Sequence, residues 1–133
     1  MIPPEPVIRP RPPRVTGARH LVATTGYSLQ GARRLWRETA LRHMVLFVVV
    51  GLVLLAVAGA SLSQFGIYAI LFLALVAFEA LNTAIECIVD YLAPEWQEFA
   101  RDAKDLGSLA TMCLLIANGL FLGGVLMLQF GII

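Results

Sequence analysis

Three apolar runs, each long enough to cross a bilayer, leave this chain few folds to choose from. They extend from about Met44 to Leu62, Ile67 to Val89 and Leu109 to Gln129. A helix needs ~20 predominantly apolar residues to traverse the hydrocarbon core, and each run meets that length. In lipid every backbone N–H and C=O must be bonded within the chain, so the runs are predicted to be helices. Composition agrees: 59% of the 133 residues are hydrophobic and 14% are charged, with a mean hydropathy of +0.79, beyond an ordinary water-soluble domain. The fold class is an all-α membrane protein with a single folded domain. Three spans enclose little interior, so association of several copies is expected.

Ahead of the first run the chain has two different parts. Residues 1–17 hold six prolines and three arginines within their first fifteen positions, a composition with little to bury and no helical tendency, so this part is predicted to be a disordered arm. No apolar core follows its basic residues in the manner of a secretory signal. The domain proper is residues 18–133. From Ala18 to Arg42, apolar residues such as Leu21, Leu29, Leu35 and Trp36 alternate with Arg33, Arg34, Arg37 and Arg42 at roughly helical period. That pattern predicts an amphipathic helix in the membrane interface, bent or broken at Gly26 and Gly31. Glu38 stands among these cations, where Arg34 or Arg42 can pair with it.

The second run carries a contradiction. Glu79, Asn82, Glu86 and Asp90 follow one another at spacings of three, four and four residues, which places them on one face of a helix over about 16 Å. A carboxylate in hydrocarbon costs at least ~2.5 kcal/mol, so this stripe must face protein, a metal or a water-filled cleft. Isolated polar residues in a membrane helix usually serve as contacts between helices. Three carboxylates and an asparagine in one line point instead to an active or ion-binding site. Cys87 and Cys113 lie in apolar runs without metal-ligand spacing and are read as packing residues.

Charge sets the orientation. All ten Lys and Arg residues precede the first run or lie between the second and third, so the N-terminus and the loop Tyr91–Gly107 are predicted to be cytoplasmic. Only Ser61 to Gly66 separates the first two runs, which requires a tight hairpin there. Within the charged loop, EWQEFARDAKD follows Pro94 and is predicted to be partly helical. It ends in Lys104 and Asp105, which by themselves are an interfacial lysine and a capping aspartate. Their convergence with the acidic stripe is what gives them chemical interest.

These elements together resemble the small prokaryotic diacylglycerol kinase family. FEALNTAIE at Phe78–Glu86, Val89-Asp90 and AKDLGS at Ala103–Ser108 carry the resemblance, supported upstream by GYSLQG, Trp36 and Glu38. It extends from about residue 20 to the C-terminus. Trp36 and Glu38 are separated by Arg37 alone where the family has one more residue, and Gln97 stands where histidine is frequent. Neither a GxxxxGK[ST] loop nor HRD and DFG elements occur, which separates the chain from soluble kinases.

The resemblance implies a homotrimer in the bacterial inner membrane that transfers the γ-phosphate of ATP, with Mg2+, to diacylglycerol and forms phosphatidic acid. By the same match, Glu79 would be the catalytic base with Asn82 beside it, and Glu38 and Glu86 would hold the metal. Tyr27, Asp90, Glu95, Trp96, Gln97, Lys104 and Asp105 would form the nucleotide site, and Ser28 and Ser108 would lie near the lipid. The expected partners are MgATP, the lipid substrate, the membrane and further copies of the chain; no nucleic acid is expected. Two other readings stay open: a kinase for a polyprenol such as undecaprenol, and a non-enzymatic cation-binding or transport protein using the acidic stripe. The third is weakened because the first and third runs have almost no ionisable groups.

Overall fold

The structure, a computed structural model, describes residues 17–132, with the side chains of 18–22 excepted. The expected arm therefore lies outside the described residues, apart from Gly17. Four helices follow in order: α1 (Ala18–Leu35), α2 (Thr39–Val57), α3 (Leu62–Leu92) and α4 (Glu98–Gln129). No strand occurs among the described residues. The last three helices are each long and apolar enough to cross a membrane, and α1 is the amphipathic helix ahead of them. The all-α membrane class is thus realised.

The amphipathic helix α1 differs from its sequence pattern in two ways. It runs unbroken through Gly26 and Gly31; a glycine costs about 1 kcal/mol relative to alanine in a helix, and the surrounding Leu, Gln, Ala and Arg residues outweigh that. It also stops at Leu35 instead of reaching Arg42. Its last turn tightens, with Arg37 N–H donating to Arg34 C=O at 3.1 Å and Glu38 N–H to Leu35 C=O at 2.9 Å, a 3₁₀-type ending. Glu38 then takes an extended conformation, φ −74° and ψ 133°, and α2 begins. This corner lets Leu35 and Leu41 both turn inward, where each is buried.

The α2–α3 hairpin also turns earlier than the apolar pattern suggests. Gly59 has φ +72°, a left-handed conformation that glycine adopts without Cβ strain. Ser61 and Gln64, expected in the link, form a capping box instead. Ser61 N–H donates to Gln64 Oε1 at 2.7 Å and Gln64 N–H to Ser61 Oγ at 3.4 Å, satisfying two of the first donors of α3. Here two polar residues extend the helix they were expected to interrupt.

Most packing between elements is the antiparallel pair α3 and α4. Tyr68, Leu75, Glu79, Asn82 and Val89 are buried on α3, and Ala100, Gly107, Thr111, Asn118, Leu122 and Val125 on α4. Their spacing of three, four or seven residues keeps one seam facing the partner helix. Near the hairpin, Val48, Leu55, Tyr68, Leu122 and Val125 form the main apolar core. The Tyr68 ring stacks on Phe121 at 6.4 Å, and its hydroxyl reaches Gly51 of α2, where a Cβ would meet Cζ at 2.7 Å. Asn118 donates from Nδ2 to Leu114 C=O at 2.8 Å and across the seam to Leu71 C=O at 3.2 Å, the kind of polar contact that ties membrane helices together.

At the other end Val89, Ala93 and Ala100 form a smaller core. It closes a link of residues 93–97; the helix expected within the loop of 91–107 is the start of α4, which begins at Glu98 and continues without interruption into the third apolar run. Of the apolar windows of α2, α3 and α4, only 28%, 17% and 22% are buried within the single chain. The remainder is surface suited to lipid or to further copies. Cys87 and Cys113, read from sequence as packing residues, are both free and exposed, since neither lies on the buried faces of α3 or α4.

Candidate functional site

The acidic stripe of α3 is the charged half of the α3–α4 seam. Glu79 is 5% exposed and Asn82 7%; Glu86 is half-buried and Asp90 exposed. Over about 16 Å of helix the stripe therefore passes from dry interior to water. Opposite it α4 presents Thr111, Gly107, Lys104 and Ala100, again spaced by four, three and four residues. Gly107 is needed for this approach, because a Cβ there would collide with Asn82 Oδ1 and stand 3.7 Å from Asn82 Cα. Asn82 Nδ2 donates to Glu86 Oε1 at 3.2 Å. Its Oδ1 is buried and accepts no hydrogen bond.

A fourth carboxylate, Glu38, reaches the same place from the α1–α2 corner. Arg34 donates to Glu38 in an i,i+4 ion pair, and its Nη2 lies 3.8 Å from Cys87 Sγ on α3. The corner is thereby held against the stripe. Hydrogen bonding to Glu38, and then the charge of that carboxylate, raises the Arg34 guanidinium above its ordinary pKa. Glu38 and Glu86 are both near enough for their charges to act on Glu79, so three carboxylates from two parts of the chain share one neighbourhood. Among the described residues no three His, Cys, Asp or Glu side chains come together closely enough to form a metal cage. The donors available are hard carboxylate oxygens, one or two at a time. That suits magnesium, which takes few protein ligands and completes its shell with phosphate and water.

Beyond Glu86 the seam opens into a cavity of about 320 Å³ bounded by the end of α3, the link and the start of α4. Its lining brings together Asp90, Glu95, Trp96, Gln97 and Lys104, five of the seven nucleotide candidates. Lys104 forms an ion pair with Asp90 and also feels the charge of Glu86. Arg101, which sequence reasoning passed over, lines the same cavity with its guanidinium 6.0 Å from the Trp96 ring centroid, within cation–π range. Two cations and an exposed indole at the mouth of an acidic seam can receive a phosphate-bearing aromatic ligand.

The other two nucleotide candidates are not in this lining. Tyr27 is 64% exposed on α1, and Asp105 is exposed on α4. Ser28 lines a separate, mostly apolar groove of about 540 Å³ between α1 and α3, together with Gly31, Arg34, Thr83 and Cys87. Ser108 is exposed on α4 and does not line that groove. Gly107 and Thr111 were also missed from sequence, although their signal was legible as a small residue and a hydroxyl at the spacing of Ala100 and Lys104.

Residues 26–126 match the family described as prokaryotic diacylglycerol kinase. A protein of Sinorhizobium sp named diacylglycerol kinase is 49% identical over 106 residues, covering 80% of this chain and 77% of its own length. One of Haemophilus influenzae with the same name is 33% identical over 114 residues, covering 85% and 97%. That of Escherichia coli K12 is 30% identical over 103 residues, covering 76% and 84%. The match takes in the α1–α2 corner, the acidic seam and the cavity, and with it the chain belongs to the prokaryotic diacylglycerol kinase family.

Proposed function

We propose that this enzyme transfers the γ-phosphoryl group of MgATP to the hydroxyl of diacylglycerol at the cytoplasmic face of the bacterial inner membrane, giving phosphatidic acid and ADP. The observation that carries this reading is the continuity of one helix seam. A cavity with Lys104, Arg101 and Trp96 leads past Glu86 to the buried pair Asn82 and Glu79. Nucleotide would enter from water at one end of that line, and the lipid hydroxyl would arrive from the bilayer at the other.

Phosphoryl transfer asks a protein mainly for positioning and charge neutralisation. Lys104 and Arg101 would bind the phosphates electrostatically, and Trp96 would offer a face to the base. Glu38 and Glu86 would hold magnesium, which when bound with the nucleotide neutralises charge on the β- and γ-phosphates. Glu79 would accept the proton of the lipid hydroxyl as its oxygen bonds to the γ-phosphorus and the bond from that phosphorus to the β-bridging oxygen breaks. Asn82, with one Nδ2–H on Glu86, would orient the hydroxyl by donating the other to its oxygen, leaving the hydroxyl proton to Glu79. Tyr27, Glu95, Gln97 and Asp105 complete the proposed nucleotide surroundings, with Ser28 and Ser108 near the lipid.

The kinase unit in this proposal is residues 18–133, working as a homotrimer with the N-terminus in the cytoplasm. The large apolar surface left open by one chain supports the oligomer, and the confinement of all cations to the N-terminal part and the first turns of α4 supports the orientation. The test is phosphorylation by purified protein in mixed micelles with radiolabelled MgATP, offering diacylglycerol and undecaprenol in parallel. Label in phosphatidic acid is the expected result. Label mainly in polyprenyl phosphate would move the substrate to a long-chain alcohol, and no labelled lipid from folded protein would overturn the reading.

A further inference from the structure

One polar side chain in the charged half of the seam has no part in the chemistry described so far. Thr111 of α4 is 6% exposed, and its hydroxyl is buried with no formed hydrogen bond. A threonine inside a helix ordinarily bonds back to a carbonyl one turn earlier, but here the hydroxyl makes no such bond. One turn away Gly107 packs on Asn82, and the antiparallel course of α3 and α4 sets Thr111 opposite Glu79, both buried in the seam and close enough for the hydroxyl to act on the carboxyl. The other groups acting on Glu79 are Glu86 and Glu38, and both repel it. The nearby cations are engaged elsewhere, Arg34 with Glu38 and Lys104 with Asp90.

We propose that Thr111 is a positioning residue for Glu79: its O–H donates to one carboxylate oxygen and leaves the other directed at the incoming lipid hydroxyl. The inference rests on the reading of Glu79 as the base. A free glutamate side chain has three rotatable bonds and two equivalent oxygens, so burial alone does not aim it. A single donor on the opposite helix does, because it selects one oxygen and fixes the plane of the carboxyl group. Threonine suits the task, since its branched Cβ restricts χ1 and keeps the hydroxyl in place. It also supplies a donor to an acceptor-only carboxylate without adding charge where magnesium and phosphate must already be accommodated. Catalytic groups misplaced by 1 Å lose on the order of a hundredfold in rate, so a residue that never touches substrate can still set kcat.

Thr111→Val keeps the shape and removes the hydroxyl; Thr111→Ser keeps the hydroxyl. In mixed micelles with diacylglycerol and MgATP, the full-length valine variant is expected to lose about ten- to a hundredfold in kcat, the size of effect a hydrogen bond to a charged group supports. KM for both substrates should stay within about twofold. The serine variant should recover most of the rate. Infrared spectra provide a readout independent of turnover. Wild type minus Glu79→Gln isolates the Glu79 carboxyl bands, and those bands should move in Thr111→Val and return in Thr111→Ser.

Unchanged bands with unchanged kcat would overturn the proposal, as would a loss confined to KM or an equal loss in both variants. If Thr111→Val does not fold, Thr111→Cys, a similar-sized side chain with a weaker donor, takes its place with an intermediate rate expected; wild-type kcat and bands there would overturn the proposal. A wild-type chain that phosphorylates no lipid would remove the base for Thr111 to position and overturn both readings. It is distinguished from failure of Thr111 alone by the control activity.

Discussion

The two halves of the α3–α4 seam have the same geometry and different contents. Toward the hairpin, Tyr68, Leu122 and Val125 meet in a dry core with Val48 and Leu55 of α2. Toward the link, Glu79 and Asn82 meet Thr111 and Gly107 at the same helical spacing. Beside each half a polar side chain packs on a glycine: Tyr68 on Gly51 of α2, and Asn82 on Gly107 of α4. Each also leaves buried polar atoms without partners, Tyr68 Oη and Asn118 Oδ1 in one, Asn82 Oδ1 and Thr111 Oγ1 in the other. The difference lies in what surrounds them. Near the hairpin the neighbours are aromatic and aliphatic, and the seam supports stability. Near the link the neighbours are Glu38, Glu86 and Lys104, close to a cavity open to water, so the same architecture positions reactive groups. A helix pair that is rigid at one end can hold chemistry at the other to within fractions of an ångström.

The strongest way to separate the halves is Glu79→Gln. It should reduce lipid phosphorylation by about 10²- to 10⁴-fold, the range for loss of a general base, with the thermal unfolding midpoint in detergent little changed. Retained activity would place the proton acceptor elsewhere. Next in size, Glu86→Ala should lower kcat and raise the magnesium concentration needed for half-maximal rate by about tenfold or more, measured by titrating the metal at fixed ATP. An unchanged magnesium curve would remove Glu86 as a ligand.

The two glycines give the most direct comparison. Gly51→Ala and Gly107→Ala each place a methyl group against a buried side chain and should each destabilise by about 1–3 kcal/mol, read from unfolding in detergent. Only Gly107→Ala should also cut activity per folded molecule, by about tenfold or more, because it displaces Asn82 where Gly51→Ala displaces Tyr68. Equal activity losses would mean that the seam acts as one unit. The smallest effect belongs to Lys104→Met. Its ion pair with Asp90 lies at the surface, where such pairs contribute little to stability, so melting should hardly change while KM for ATP rises severalfold. A KM that does not move would take Lys104 out of the nucleotide site.

Much of this was legible without coordinates because membrane helices follow simple rules. Three apolar runs announce their helices, and carboxylates placed every third or fourth residue in one of them must face inward. What could not be read was where the helices end. Ser61 and Gln64 look like loop residues and form a capping box, while the helix expected within the charged loop at EWQEFARDAKD runs on unbroken into the third apolar run. Local polarity marks solvent exposure, and a helix can leave the membrane without ending. The corner at Glu38 was equally hidden, because Ala18 to Arg42 keeps its periodicity although the backbone turns after Leu35.

By itself the sequence determined the all-α membrane class, the acidic face of α3 and the grouping of cations at the two ends that meet, since hydrophobic length, helical period and charge are properties of the chain alone. Only the tertiary structure decided that the acidic face lies against α4, that Gly107 lets Asn82 pack there, that Arg34 and Glu38 lean onto the same helix, and that Thr111 stands opposite Glu79. Those facts depend on the rotation of one helix about its axis relative to another. That rotation is set by the sum of many packing contacts along the seam, and no single residue encodes it.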